Sequence, residues 1–264
     1  MKIAVCAKQV PHRNEGRMDT ETGLIKRGEL ISVTNVYDLV AIETGLKIKE
    51  QVNDAVIDIF TMAPQRGREV IIQGYSMGVD NGFLLCDNSF TGSDVFATSY
   101  TLSCGIKKVD EYDLIICGKQ TTDGDTGQVG SGIASWLGIP YISNVSKIVS
   151  VDKKTAVFLQ ILDDIEYKVE VNLPCTISVL KEVYIPRMPT LTLKLKGKKK
   201  KLTTLNYEDL TKCDIEKIGA KGSPTKVIKV YPAPVTEKRD LIKINYKDAS
   251  KLILDIIMEV DDNE

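Results

Sequence analysis

The strongest chemical signal in the chain is the run Gly118-Lys119-Gln120-Thr121-Thr122-Asp123-Gly124-Asp125-Thr126-Gly127-Gln128-Val129-Gly130. It follows an apolar run at 114–117 and leads into a helical pattern through 133–137. A loop between a buried strand and a helix offers free backbone N–H groups at the positive helix end, where phosphates bind. Gly124, Gly127 and Gly130 allow sharp turns and a close backbone approach to a ligand, and Thr126 and Gln128 add donors. Asp123 and Asp125 are poor neighbours for a phosphate, so they are expected to cap the turn or to meet a ribose hydroxyl. The same residues also suit a tight Gly/Asp turn with a capped helix and no ligand. Lys119 precedes the turn rather than opening the helix, so this is not a Walker loop.

The rest of the reactive inventory is sparse. Six cysteines (Cys6, Cys86, Cys104, Cys117, Cys175, Cys213) are scattered without a CxxC pair, and His12 is the single histidine. That spacing fits neither a zinc nor an iron–sulfur site. Cys6 and Cys117 lie in apolar runs and are expected to be core thiols, with no neighbouring charge to stabilise a thiolate. His12 is expected on an exposed loop, and Trp136 in the core. The net charge of −1 over 264 residues argues against a general nucleic-acid binder. A hydrophobic content of 43% can bury an ordinary core. No apolar stretch approaches the roughly 18 residues of a membrane span, so membrane insertion is not expected. The opening Met1-Lys2-Ile3-Ala4-Val5-Cys6-Ala7 turns polar too soon for a signal peptide and reads as a buried strand. A cytoplasmic setting follows as an expectation.

The elements that must position the loop can be read from periodicity. Strands are expected at 2–7, 56–61, 83–86 and 114–117. Helices are expected at 37–50 (stripe Leu39, Ile42, Leu46), 65–77, 93–107 (Asp94 in its first turn) and through 133–137. Continuous apolar strands alternating with helices predict an α/β fold: a Rossmann-like, mostly parallel sheet with helices on both faces. Nucleotides bind such sheets at the carboxyl ends of the strands, which selects the loops after Cys6, Thr61, Cys86 and Cys117. After Pro140 the pattern changes. Segments 143–151, 156–162, 166–171 and 176–180 are rich in Val, Ile and Thr and read as four strands of an extra β meander. Ile185-Pro186-Arg187-Met188-Pro189 and the basic run ending at Lys198–Lys201 read as an exposed loop. Beyond Gly219 an extended piece through Val235 and an amphipathic helix near 249–260 have little core of their own.

Four co-linear motifs together resemble one family. The 118–130 run is very similar to the stretch that reads Gly-Lys-Gln-Ala-Ile-Asp-Gly-Asp-Thr in electron transfer flavoprotein beta subunits. Val169-Glu170-Val171-Asn172-Leu173-Pro174, running into Ile185-Pro186-Arg187-Met188-Pro189-Thr190-Leu191 and a lysine-rich end, is similar to the family signature. Cys6-Ala7-Lys8-Gln9-Val10-Pro11 resembles its opening, and Met77-Gly78-Val79-Asp80 its Met-Gly-Ala-Asp. Gly219-Ala220-Lys221-Gly222-Ser223-Pro224-Thr225 resembles a segment of bacterial, electron-bifurcating members. The chain departs from the pattern at Val36 (proline), His12-Arg13 (Asp-Thr), Tyr184 (asparagine) and Thr121-Thr122 (Ala-Ile).

The resemblance implies a nucleotide pocket built from Cys6, from Asn35, Val36, Tyr37 and Asp38, from Met62, and from Gly118 through Val129. It implies FAD there, with AMP as the housekeeping alternative in the same pocket, and NAD as a possible further ligand. A second FAD would be held mainly by an alpha subunit. It also implies an electron carrier, paired with that alpha subunit. Electrons would pass between NADH- or ferredoxin-type carriers and an acyl-CoA or hydroxy-acid dehydrogenase-type flavoenzyme, docked through Leu191. On this reading residues 1–225 form the nucleotide-binding domain with the meander and docking loop, and 226–264 an arm packing on alpha. The rivals are a subunit binding AMP structurally, and an ATP-using protein of the same broad adenine-nucleotide fold.

Overall fold

The computed structural model describes residues 1–12, 32–52, 54–226, 228 and 242–261. The chain runs β1 (Lys2–Cys6), β2 (Gln9–Pro11), β3 (Ser32–Thr34), α1 (Val36–Gln51), β4 (Val56–Met62), α2 (Arg68–Met77), β5 (Asn81–Leu85), α3 (Val95–Val109) and β6 (Leu114–Gly118). It continues with α4 (Val129–Leu137), β7 (Tyr141–Val151), β8 (Thr155–Leu162), β9 (Ile165–Asn172), β10 (Cys175–Val179), α5 (Leu191–Lys199), β11 (Thr203–Leu205), α6 (Gly219–Gly222) and α7 (Tyr246–Asp261).

Nine strands form one sheet in the order β11-β5-β4-β1-β6-β10-β7-β8-β9, and β2 and β3 form a separate antiparallel pair. Pairing is parallel from β11 to β7 and antiparallel only at β7–β8–β9. The expected α/β architecture is therefore present, with one correction. The fourth strand assigned to the meander, β10, sits between β6 and β7 in the parallel core. Its residues Cys175, Ile177 and Val179 are fully buried, and a continuous apolar run does not distinguish these two placements.

Each central strand serves both faces by its two-residue repeat. Ile3 and Val5 join the cluster under α1 and α2, with Ile57, Ile59, Leu114 and Ile116. Ala4 and Cys6 join the opposite cluster under α3 and α4, with Phe60, Leu85, Ile115 and Cys117. Helix α1 is buried almost all round, including Glu43 at 1% exposure. A helix covered on both sides has no sharp apolar stripe, and its second cover is the segment carrying Val183 and Tyr184, which also pack on this core.

The lysine-rich stretch is a second correction. Residues 185–190 are indeed irregular, but the run continues into helix α5, which Thr190 caps through a hydrogen bond from the Leu193 N–H at 3.2 Å. Helix α5 lies on α2. A Cβ at Gly197 would sit 2.8 Å from Ser76 Oγ and 3.1 Å from Ser76 N, so the two helices touch only because residue 197 has no side chain. The two prolines and the lysine cluster pointed to a loop; the contact with α2 stabilises a helix after them instead. The extended piece expected through Val235 lies largely outside the described residues, as does Arg13.

Candidate nucleotide-binding site

Strand order reverses around β1: β4 and β5 extend the sheet on one side of it, β6 on the other. The crevice between β1 and β6 is thus a topological switch point, where open α/β sheets bind ligands. Cys6 and Cys117 are register partners there. Above them lies a cavity of about 930 Å³. Contact with Cys6 and burial push the Cys117 thiol well above its ordinary range, so it stays a neutral thiol.

The loop after β6 forms one end of this cavity. Gly118 must be glycine: an added Cβ would lie 2.4 Å from Asp38 Oδ1 and 2.7 Å from Tyr37 Cβ. The two left-handed positions are Asp125 (φ 50°) and Gly127 (φ 63°), not Gly124. Aspartate tolerates that conformation better than most side chains. The turn is closed by Asp125 N–H to the Thr121 carbonyl at 2.9 Å and by Gln120 Nε2 to Asp125 Oδ1 at 3.0 Å. Helix α4 then begins at Val129 with no side-chain cap. Its first-turn residues Val129 and Gly130 line the cavity, with Gln128 just before them, so its free N–H groups open toward a ligand.

The loop rests on its neighbours. Asn35, fully buried, donates from Nδ2 to the Gln120 carbonyl at 2.8 Å and accepts the Thr122 N–H at 3.4 Å. The Asp38 carboxylate accepts the Lys8 N–H at 2.7 Å. Burial pushes the Asp38 carboxyl up to about 7, against the hydrogen bonds from Lys8, Asn35 and Gly118. Burial also acts on Asp123, but the Lys8 ammonium 2.8 Å away, with hydrogen bonds from Thr121 and the loop backbone, holds that carboxyl below its ordinary value.

The cavity extends past the loop after β4 (Met62, Ala63, Pro64, Arg66) to the loop between β5 and α3. There Asp94 caps α3, accepting the Ala97 N–H at 3.0 Å; it stands before the helix rather than in its first turn. Its other oxygen accepts both the N–H (3.0 Å) and the hydroxyl (2.7 Å) of Thr225, and its own N–H donates to Ser223 Oγ at 2.8 Å. The Ser223-Pro224-Thr225 segment thus braces the far wall.

Of the residues singled out in the sequence, Cys6, Asp38, Met62, Gly118, Lys119, Gln120, Thr121, Gly124, Thr126, Gly127, Gln128 and Val129 line the cavity. Asn35, Val36, Tyr37, Thr122, Asp123 and Asp125 do not: Asn35 and Tyr37 support the loop from beneath and Val36 is half exposed. Sequence reasoning missed Lys8, Arg66, Phe90 and Asp94. The only available signal was that each sits just after a predicted parallel strand or at the following helix start. Leu191 lies apart from the cavity, 74% exposed on the first turn of α5. Among the described residues, no cluster of three His, Cys, Asp or Glu could hold a metal ion. No helix among them is long and apolar enough to cross a membrane.

A cavity at the switch point of a doubly wound sheet, with an uncapped helix N-terminus at one end, places the chain among open α/β proteins with a ligand-sized crevice of the kind that suits a nucleotide. Comparison of sequences narrows the class. The electron transfer flavoprotein domain matches residues 24–210. The CarD subunit of the caffeyl-CoA reductase–Etf complex of Acetobacterium woodii is 38% identical over 242 residues, 92% of each chain. The electron transfer flavoprotein subunit beta of Megasphaera elsdenii is 36% identical over 98% of this chain and 97% of its own. The protein FixA of Azotobacter vinelandii is 36% identical over 96% and 92%. The chain belongs to the electron transfer flavoprotein family, as a beta subunit. It is therefore an electron-transfer protein, and its family implies a flavin or adenine nucleotide as the bound group.

Proposed function

We propose that this chain is the nucleotide-holding half of a flavoprotein heterodimer with FAD, rather than AMP alone, in its own cavity. Continuity of the cavity carries this reading. At about 930 Å³ it stands near the top of the roughly 300–1,000 Å³ range of small-molecule sites. One end offers the α4 N–H groups and Lys119 to phosphate. The other is lined by Met62, Ala63, Pro64, Phe90, Val95 and Leu102, an apolar lobe suited to a flat ring system. A mononucleotide engages the first end only; a dinucleotide spans both.

Bound flavin supplies the electron chemistry, and the protein positions and tunes it. The residues here fit that division of labour. Asp38 and Asn35 fix the loop, the first turn of α4 takes the phosphates, and the side chains of Cys6 and Cys117 close the floor. The exposed α7 packs on the alpha subunit, and the exposed apolar residues around Leu191 dock an acyl-CoA dehydrogenase-type flavoenzyme. The name of the Acetobacterium relative, which places it in a complex with a caffeyl-CoA reductase, supports an enzyme acting on a CoA ester as that partner. NADH is the proposed reductant of that flavin.

The test is the cofactor content of the purified heterodimer, by acid extraction and chromatography with a visible spectrum. Two FAD per heterodimer is the expected result. One FAD with stoichiometric AMP would overturn FAD in this cavity while leaving the family intact.

A further inference from the structure

Four apolar side chains between 185 and 195 face solvent: Ile185 at 92% exposure, Met188 at 86%, Leu191 at 74% and Leu195 at 55%. Leu191 and Leu195 are one turn apart on α5 and share a face. The segment's two ends are fastened differently. Downstream, α5 lies on α2, with the Tyr75 hydroxyl donating to the Lys201 carbonyl at 2.9 Å. Upstream, Arg187 stands between Ile185 and Met188, with the opposite orientation.

Its Nε donates to Glu43 Oε2 and its Nη2 to Glu43 Oε1, both at 2.8 Å, and its backbone N–H reaches Glu43 Oε2 at 3.1 Å. Nη2 also meets Glu50 Oε1 at 2.7 Å. Glu43 and Glu50 lie two turns apart on α1, so Arg187 grips one face of that helix. The Glu43 side chain is 2% exposed, that of Arg187 33%. Bidentate arginine–carboxylate pairs fix orientation as well as distance, and a lysine cannot reproduce the fork. With prolines on both sides, at 186 and 189, the backbone here has little freedom of its own.

We propose that Arg187, clamped on Glu43, is a positioning residue for the docking surface, and that it holds Met188, Leu191 and Leu195 in place without touching the partner. This rests on the docking reading above. Preorganisation of an exposed apolar segment lowers the ordering cost of association, so loss of the clamp should act on partner recognition. The flavin environment should be unaffected. Glu43 makes the distinction testable: it is buried and cannot contact a partner, yet its substitution must act as Arg187 substitution does.

The experiment uses the intact heterodimer and, from a panel of short-, medium- and branched-chain acyl-CoA dehydrogenases, the one that the wild type reduces fastest. Reduction rate is measured against dehydrogenase concentration for Leu191→Ala, Arg187→Gln, Arg187→Lys and Glu43→Gln. Amide hydrogen exchange is followed at 184–191. Arg187→Gln and Glu43→Gln are each expected to raise KM about tenfold, more than they lower kcat. Exchange should quicken at 184–191 and cofactor content should be retained. Arg187→Lys should recover part of the loss. If Leu191→Ala raises KM while Glu43→Gln does not, the clamp proposal is overturned and the docking reading stands. If Leu191→Ala also leaves KM unchanged, the docking reading falls and the clamp with it. Loss of cofactor or of the heterodimer in both Arg187→Lys and Glu43→Gln would make the pair a general structural support and would also overturn the proposal.

Discussion

Lys8 Nζ lies 2.8 Å from both carboxylate oxygens of Asp123, tying the loop after β1 to the loop after β6. The pair is partly exposed, with 48% and 30% of the two side chains open to solvent, and such pairs add little to stability. Its importance is local: it cancels a negative charge in a loop proposed to receive phosphate. Lys8→Met should weaken adenine-nucleotide binding by about 1 kcal/mol, roughly fivefold, because the uncovered carboxylate repels the ligand through partly screened space. Asp123→Asn in the Lys8→Met background should restore most of it. Equilibrium dialysis of nucleotide against the heterodimer measures both, and failure of the second change to restore binding would show that Lys8 contacts the ligand directly.

Asp38 predicts a pH dependence. Its folded carboxyl sits at about 7, chiefly through burial, whereas a free aspartate titrates near about 3.9. A raised folded value means that the stabilising contribution is complete below about pH 4 and is lost as pH rises through about 7. Asp38→Asn removes the titration. It also gives up acceptors for the N–H of Lys8 and Gly118, so its absolute stability should be lower. The comparison is therefore of slopes: urea midpoints between pH 5 and pH 8 should fall for the wild type and stay nearly level for Asp38→Asn. Parallel trends in both proteins would assign the pH dependence elsewhere.

The glycines of the phosphate-end loop should not be equivalent. An added Cβ at Gly124 meets only Thr121 Oγ1, at 3.4 Å, and its φ is not left-handed. Gly124→Ala is expected to fold normally and to act, if at all, on the ligand. Gly127→Ala imposes left-handed strain costing on the order of 1 kcal/mol. Gly118→Ala drives a methyl into the Tyr37 backbone and the Asp38 carboxylate and should cost roughly 1–3 kcal/mol or more. Thermal midpoints of the three variants should rank 124, 127, 118 from most to least stable; a destabilised Gly124→Ala would show that this part of the loop packs more tightly than its neighbours indicate.

That ranking could not be drawn from the sequence, and the reason is instructive. Composition shows that 118–130 is rich in glycine, and periodicity places it between a strand and a helix. Which glycine is left-handed depends on where the chain closes hydrogen bonds, and here an aspartate, Asp125, took one of the two positions. The parallel sheet was legible because apolar strands and helices alternate locally. The insertion of β10 beside β6 was not, since pairing joins residues 61 positions apart in sequence. Helix α5 was hidden because lysines and a glycine dominate its sequence, and its stability rests on contact with α2. Arg187 was visible as a residue, but its pairing with Glu43 was not, because the two lie 144 positions apart in sequence and meet only where the chain folds back over α1.

The C-terminal helix gives the last prediction. Ile253, Leu254, Ile256, Ile257 and Met258 of α7 are all between 53% and 61% exposed, at spacings that gather them on one broad face. A 16-residue helix is marginal on its own in water, and each buried aliphatic side chain would contribute about 1.5–3 kcal/mol. Removal of residues 226–264 should therefore weaken association with the alpha subunit by at least about a hundredfold, even allowing for the cost of ordering the arm. The remaining chain should keep its own fold, because the described core clusters end at Ile218. A finer test replaces Ile253 and Ile257 by aspartate, with Lys251→Ala on the side of Asp248 and Asp255 as control. Sedimentation of mixtures with alpha over a concentration series reads all four proteins. The double aspartate variant should behave as the truncation does and the lysine variant as the wild type. Stoichiometric complexes of the truncated chain at nanomolar concentration would show that alpha is held by the sheet domain instead.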